Sequence, residues 1–202
     1  MQTAMRRATL VLALVGLATA LEGCVRRSGL MSSTGPPGAA VAPAAGKALV
    51  VFLRPSRYSG AVQAVLYDGD ALVGISSVGT AINYQATPGR HQFMVVSDAA
   101  DFLDAELGPD KTYFVLVTPE MGTWQARFWR ARFSLRKLDP RRQASEIARW
   151  RREARPVATN DRAVAWDREH RPGVLRKRDD DLRKWQAKPT DERPTLHSED
   201  GV

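Results

Sequence analysis

Residues 47–138 carry seven or eight short apolar segments, each closed by a turn signal, and no feature of the chain constrains its fold more. "KALVVFL" (47–53) is continuous, apolar and rich in β-branched residues, and Arg54-Pro55 ends it. "AVQAVLY" (61–67) runs into Asp68-Gly69-Asp70, and "ALVGIS" (71–76) follows closely enough to form a hairpin. "INYQA" (82–86) leads through Pro88-Gly89 into "HQFMVVS" (91–97). "DFLDAEL" (101–107) alternates, with Leu103, Ala105 and Leu107 on one face and Asp104 and Glu106 on the other. Pro109-Asp110 turns the chain into "KTYFVLV" (111–117). In "WQARFWRARFSLRKL" (124–138) the apolar phase shifts by one after Phe128, which predicts a β-bulge near Phe128-Trp129. No helix-length amphipathic pattern interrupts this region. The expected fold is all-β: a small antiparallel β-sandwich of seven or eight strands over 47–138.

The flanking segments differ in composition. Residues 24–46 include "SGLMSSTGPPGAAVAPAAG" (28–46), which is uncharged and almost wholly Ser, Gly, Pro and Ala. Such a segment offers little apolar surface to offset chain entropy, so it reads as a flexible tether spanning about 25 Å. Beyond Leu138, Asp139-Pro140 is a helix-start signal. "RRQASEIARWRREA" (141–154) then sets Ala144, Ile147, Trp150 and Ala154 in an apolar stripe beneath a basic face. A basic amphipathic helix is expected over 139–155, ended by Pro156. Residues 156–202 alternate basic and acidic side chains with few apolar positions and read as a charged, partly disordered tail. A marginal helix is expected at 174–187 and disorder from Thr190 onward.

The first 23 residues have the layout of an export signal. Arg6 and Arg7 precede a 14-residue uncharged, mostly apolar run (8–21) that ends in small residues. That run is short of the roughly 20 residues a membrane-spanning helix needs. Two processing routes are open. Ala18-Thr19-Ala20 is an A-x-A cleavage site that would release a protein with a free thiol at Cys24. Leu21-Glu22-Gly23-Cys24 instead resembles a bacterial lipobox, departing from it at Glu22, and the resemblance implies acylation of Cys24 after removal of residues 1–23. Cys24 is the sole cysteine, so an exported chain has no internal disulfide partner for it, and acylation would remove a reactive thiol. By the sorting rule that comes with the resemblance, Val25 after the cysteine favours the periplasmic face of an outer membrane.

A second resemblance concerns the domain. "VLYDGDALVGISSVGTAINYQATPGRHQFMVV" (65–96), with "FLRPSRYSG" upstream and "DKTYFVLV" downstream, is similar to PEGA-type domains of bacterial lipoproteins. The shared motifs are turn chemistry. They imply a fold and supply no catalytic residues.

Charge indicates the kind of partner. The chain is formally +8, or +7 without residues 1–23. Residues 127–152 hold ten Lys/Arg against Asp139 and Glu146. Arg127, Arg130, Arg132, Arg136, Arg141, Arg142, Arg151 and Arg152, interleaved with aromatic residues, are candidates for binding an anionic envelope surface or polymer. Ile147 and Trp150 are candidates for apolar contact with an envelope protein. A pI near 10.1 also suits nucleic acid, but export separates the two.

Signs of catalysis are lacking in the sequence. Asp68-Gly69-Asp70 lacks the spaced acidic ligands of a calcium loop and reads as a hairpin turn. His91, His170 and His197 form no ligand set or triad. Asp98, Asp101, Asp104 and Glu106 read as solvated strand carboxylates, and no serine has a G-x-S-x-G setting. The expectation is a non-catalytic, lipid-anchored envelope protein without cofactor or metal. A passive docking module is the alternative, and a released periplasmic hydrolase a more distant one.

Overall fold

The computed structural model describes residues 28–55, 62–120 and 132–202. The chain is mostly β, with eleven strands among the described residues and one main helix. In order these are β1 (Met31–Ser33), β2 (Ala48–Arg54), β3 (Ala64–Asp68), β4 (Ala71–Ser76), β5 (Thr80–Ala86) and β6 (Gly89–Val96). Then come β7 (Ala100–Leu107), β8 (Thr112–Glu120), β9 (Arg132–Leu138), the helix α1 (Ala144–Glu153), β10 (Arg155–Thr159), the long helix α2 (Asp161–Gln186) and β11 (Thr195–Leu196).

Two mixed sheets result, a larger one in the order β1-β10-β5-β2-β8-β9 and a smaller one in the order β11-β7-β6-β3-β4. The all-antiparallel expectation is corrected by three parallel pairs: β10 with β5, β2 with β8, and β11 with β7. The expected strand count rises because β1, β10 and β11 come from segments read as tether and tail. The unbroken apolar run of β2 has its reason here. Ala48, Val50 and Phe52 enter a core shared by both sheets, while Leu49, Val51 and Leu53 pack on the larger sheet's other side, so no position is left for a polar face. Ile147 of α1 and Ala154 just after it cover that other side. On the smaller sheet, α2 covers Tyr67, Met94 and Phe102 with Val174 and Trp185.

The tether expectation is corrected for residues 28–46. Strand β1 pairs antiparallel with β10, Gly38 N donates to Ala154 O (3.2 Å), and Gly46 N donates to Asp110 Oδ1 (2.7 Å). Backbone groups hold this segment, and a composition argument about side chains does not register them.

The tail expectation is corrected as well. After α1 the chain turns extended at Ala154, and Pro156 lies inside β10. Asn160 then caps α2, its side chain accepting from Ala163 N (3.2 Å). Beyond α2, Leu196 is 1% exposed, and Thr112 and Val202 exchange two backbone hydrogen bonds (2.7 and 3.1 Å). The first helix begins at Ala144, later than expected, because Asp139 Oδ1 accepts from Arg141 N and Arg142 N in a preceding turn. The expected bulge at Phe128-Trp129 lies outside the described residues, as does the first half of that strand.

Candidate functional site

Three groups of polar residues are candidates, and the basic run is the first. Cys24, Arg127 and Arg130 lie outside the described residues, and Arg132 opens β9 opposite Glu120. Along β9, Phe133 and Leu135 enter the shared core, so Arg136 and Leu138 face the side of the larger sheet that carries α1. Arg136 is exposed. Arg141 and Arg142 sit exposed in the turn leading into α1. Arg141 Nη1 donates to Glu199 O (3.3 Å), and Arg142 pairs with Asp139 at 3.4 Å. Arg149 and Arg152 are exposed on α1, and the half-buried Arg151 guanidinium lies 5.4 Å from the Phe114 ring centroid. Arg136 thus shares the α1 side of the larger sheet with the arginines of the turn and of α1, whereas Lys137 has the opposite parity and pairs with Asp200 (2.8 Å).

Ile147 and Trp150 do not belong to that exposed surface. Ile147 is 4% exposed, and half-buried Trp150 packs with it against Leu49, Leu53 and Phe114. Their expected contact with a partner protein is corrected to an internal one, because the apolar stripe of α1 is consumed in covering the sheet.

Asp68-Gly69-Asp70 forms the β3–β4 hairpin, with Gly69 at φ 54° supplying the left-handed turn conformation. Asp68 Oδ2 accepts from Tyr84 OH (2.9 Å) and lies 2.7 Å from His91 Nδ1. His91 Nε2 lies 2.7 Å from Thr87 O, and its ring stacks on Phe93. Burial, then the hydrogen bond to Asp68, pushes the Tyr84 phenol well above its ordinary range. This cluster ties β3, β5 and β6 together, and both imidazole nitrogens are engaged. Among the described residues no group of three His, Cys, Asp or Glu could hold a metal.

A third site went unnoticed in the sequence. Arg54 of β2 pairs in register with Thr80 of β5, and Thr80 pairs with Arg155 of β10. The three form one cross-strand row whose side chains share the inward parity of Phe52, Ile82 and Val157. Arg54 is 1% exposed; its Nη1 donates to Ser76 O (2.9 Å), and its guanidinium lies 4.5 Å from the Phe133 ring centroid. Burial lowers Arg54 to about 10, which leaves it protonated at neutral pH. Beside Thr80 and Arg155 lies a cavity of about 160 Å³, lined also by Ser28, Met31, Ser33, Ile75, Ser77 and Val157. Arg155 Nε and Ser77 Oγ are buried there without a hydrogen-bond partner among the described residues. One signal could have found this row. Both arginines end or begin a strand beside a proline, at a position whose parity points inward.

Compared with protein families, curated proteins and solved structures, the chain matches none.

Proposed function

We propose that this is an exported, lipid-anchored, non-catalytic protein of the bacterial cell envelope whose basic side rests against an anionic surface. The observation that carries the reading is the collection of Arg136, Arg141, Arg142, Arg149, Arg151 and Arg152 on one side of the larger sheet, with Asp139, Glu146 and Glu153 as the acidic residues of the same stretch. Electrostatic attraction to phospholipid headgroups or acidic wall polymer follows from such an excess. We also read the two sheets as stacked in a sandwich, supported by the core to which both contribute. The resemblance to PEGA-type lipoproteins belongs to this proposal, supported by the Asp68-Gly69 hairpin and the Pro88-Gly89 lead into β6.

Acylation at Cys24 would moor the protein closely. Ser28, already in the folded unit, is 7% exposed. Four peptide steps separate it from Cys24, a reach of at most about 14 Å. Strand β1 runs antiparallel to β10 with Met31 opposite Thr159, and Asn160 Nδ2 donates to Gly29 O (3.3 Å), so the anchor would emerge beside the start of α2. Apolar docking through the α1 stripe has less support, since Ile147 is internal.

Co-sedimentation of the full chain, carrying Cys24→Ser to remove the acyl contribution, with phosphatidylglycerol-containing vesicles tests the surface role. Each basic side chain at an anionic surface contributes about 1 kcal/mol. Combined reversal of Arg141, Arg142, Arg151 and Arg152 to Glu should therefore lower affinity at least a hundredfold, and salt should weaken the unreversed chain strongly. Equal, salt-insensitive binding of both chains would refute the proposal.

A further inference from the structure

We propose that the cavity beside Arg155 is a binding site for a single oxyanion group, held by the Arg155 guanidinium with the hydroxyls of Ser77 and Ser28. The inference is independent of the lipid anchor and of the outer basic side.

The hydrogen-bond inventory shows which groups are open to a ligand. Thr80 is not: its hydroxyl donates to Ser77 O (2.7 Å) and accepts from Ser77 N (3.3 Å). Ser33 donates to Gly35 O (3.0 Å). Ser28 Oγ accepts from Leu30 N (3.3 Å), which leaves its own proton available. Ser77 is 2% exposed and its Oγ is unpartnered. Arg155 makes no ion pair among the described residues, and its buried Nε has no acceptor. The open groups are thus donors, and one of them is cationic.

Among the described residues no carboxylate lines the cavity. Arg54, two strands away in the same row, adds a second positive charge to the inner face at this end. Partial burial of a guanidinium costs free energy that an anion offsets and neutral hydroxyls do not. Water could satisfy the hydrogen bonds of Ser77 and Arg155 but would leave the charge uncompensated. About 160 Å³ is room for more than one water and accommodates a tetrahedral oxyanion. Ser33 on β1 is exposed, which gives the cavity an opening at the edge of the larger sheet.

Inorganic phosphate is the probe, titrated calorimetrically into the full chain at constant ionic strength. One saturable site is expected. Arg155→Gln should weaken it at least tenfold, because a charge-assisted contact is lost. Ser77→Ala should weaken it severalfold while leaving the thermal midpoint unchanged or raised, since it deletes an unpartnered buried hydroxyl; this variant keeps the test decisive if Arg155→Gln does not fold. Arg141→Glu with Arg152→Glu should leave phosphate binding intact, which separates this site from the outer basic side. Competition by phosphatidylglycerol vesicles would identify a lipid headgroup as the source of the oxyanion, and its absence a free solute. Absence of a saturable site, or wild-type phosphate affinity in both Arg155→Gln and Ser77→Ala, would overturn the proposal and leave the cavity to water.

Discussion

Asp101 is half-buried on β7, where its Oδ2 accepts from Leu135 N of β9 (3.3 Å) and so joins the two sheets. Burial raises its pKa, and the Leu135 and Phe102 amides only partly offset that rise. In the unfolded chain the carboxyl ionises near its ordinary value of about 3.9. The folded protein therefore keeps the proton to higher pH, and stability falls as pH rises from the ordinary value through the raised one. Asp101→Asn retains an acceptor and cannot ionise. Thermal midpoints at pH 3 and pH 7 should show the variant gaining on the wild type as pH rises; a constant gap would contradict this. Trp185 supplies a second residue-scale test. It is 3% exposed, 5.9 Å from the Phe102 ring, and its Nε1 has no partner among the described residues. Trp185→Ala should cost about 3–5 kcal/mol in urea unfolding, and Trp185→Phe clearly less, because it also deletes the unpartnered N–H. At this scale the sequence was legible where turn chemistry decides, as at Gly69. At Arg54 and Arg155 it was legible only through strand parity, because an arginine beside a strand-breaking proline gives no sign of its own that it points inward.

At the scale of elements, every strand expected between residues 47 and 120 formed, because period-two and continuous apolar patterns both report burial directly. Helix α2 was underestimated for a physical reason. Its sheet-facing side mixes Ala163, Trp166, Val174, Leu182 and Trp185 with charged residues that bond the sheet. Asp167 accepts from Tyr67 OH (2.7 Å), Asp181 from Ala100 N (3.0 Å), and Arg178 pairs with Asp70 (2.8 Å). A hydropathy reading counts these as solvent-facing. Limited trypsinolysis tests the correction, since α2 is rich in Arg and Lys. Cleavage within residues 161–186 should be as slow as within the sheets; rapid loss of that stretch would restore the disordered tail. Loss of the helix cap is a milder probe. Asn160→Ala should cost about 1 kcal/mol in the same urea titration.

For the whole molecule, the folding of residues 28–46 onto the larger sheet changes how the protein would meet a membrane. A long tether would let the domain diffuse far from the bilayer, and basic residues would then act only in transient encounters. If Cys24 is acylated as proposed, the short link to Ser28 would instead hold one end of the larger sheet close to the headgroups. Net charge alone, +8, could not have said this, because it does not place the charges. Intact-mass spectrometry of the mature N-terminus, on protein extracted with detergent from cells that export it, is the most direct test. A chain beginning at Cys24 and carrying acyl mass is the expected result. An unmodified chain beginning at Leu21 would contradict the lipid anchor and the membrane orientation built on it.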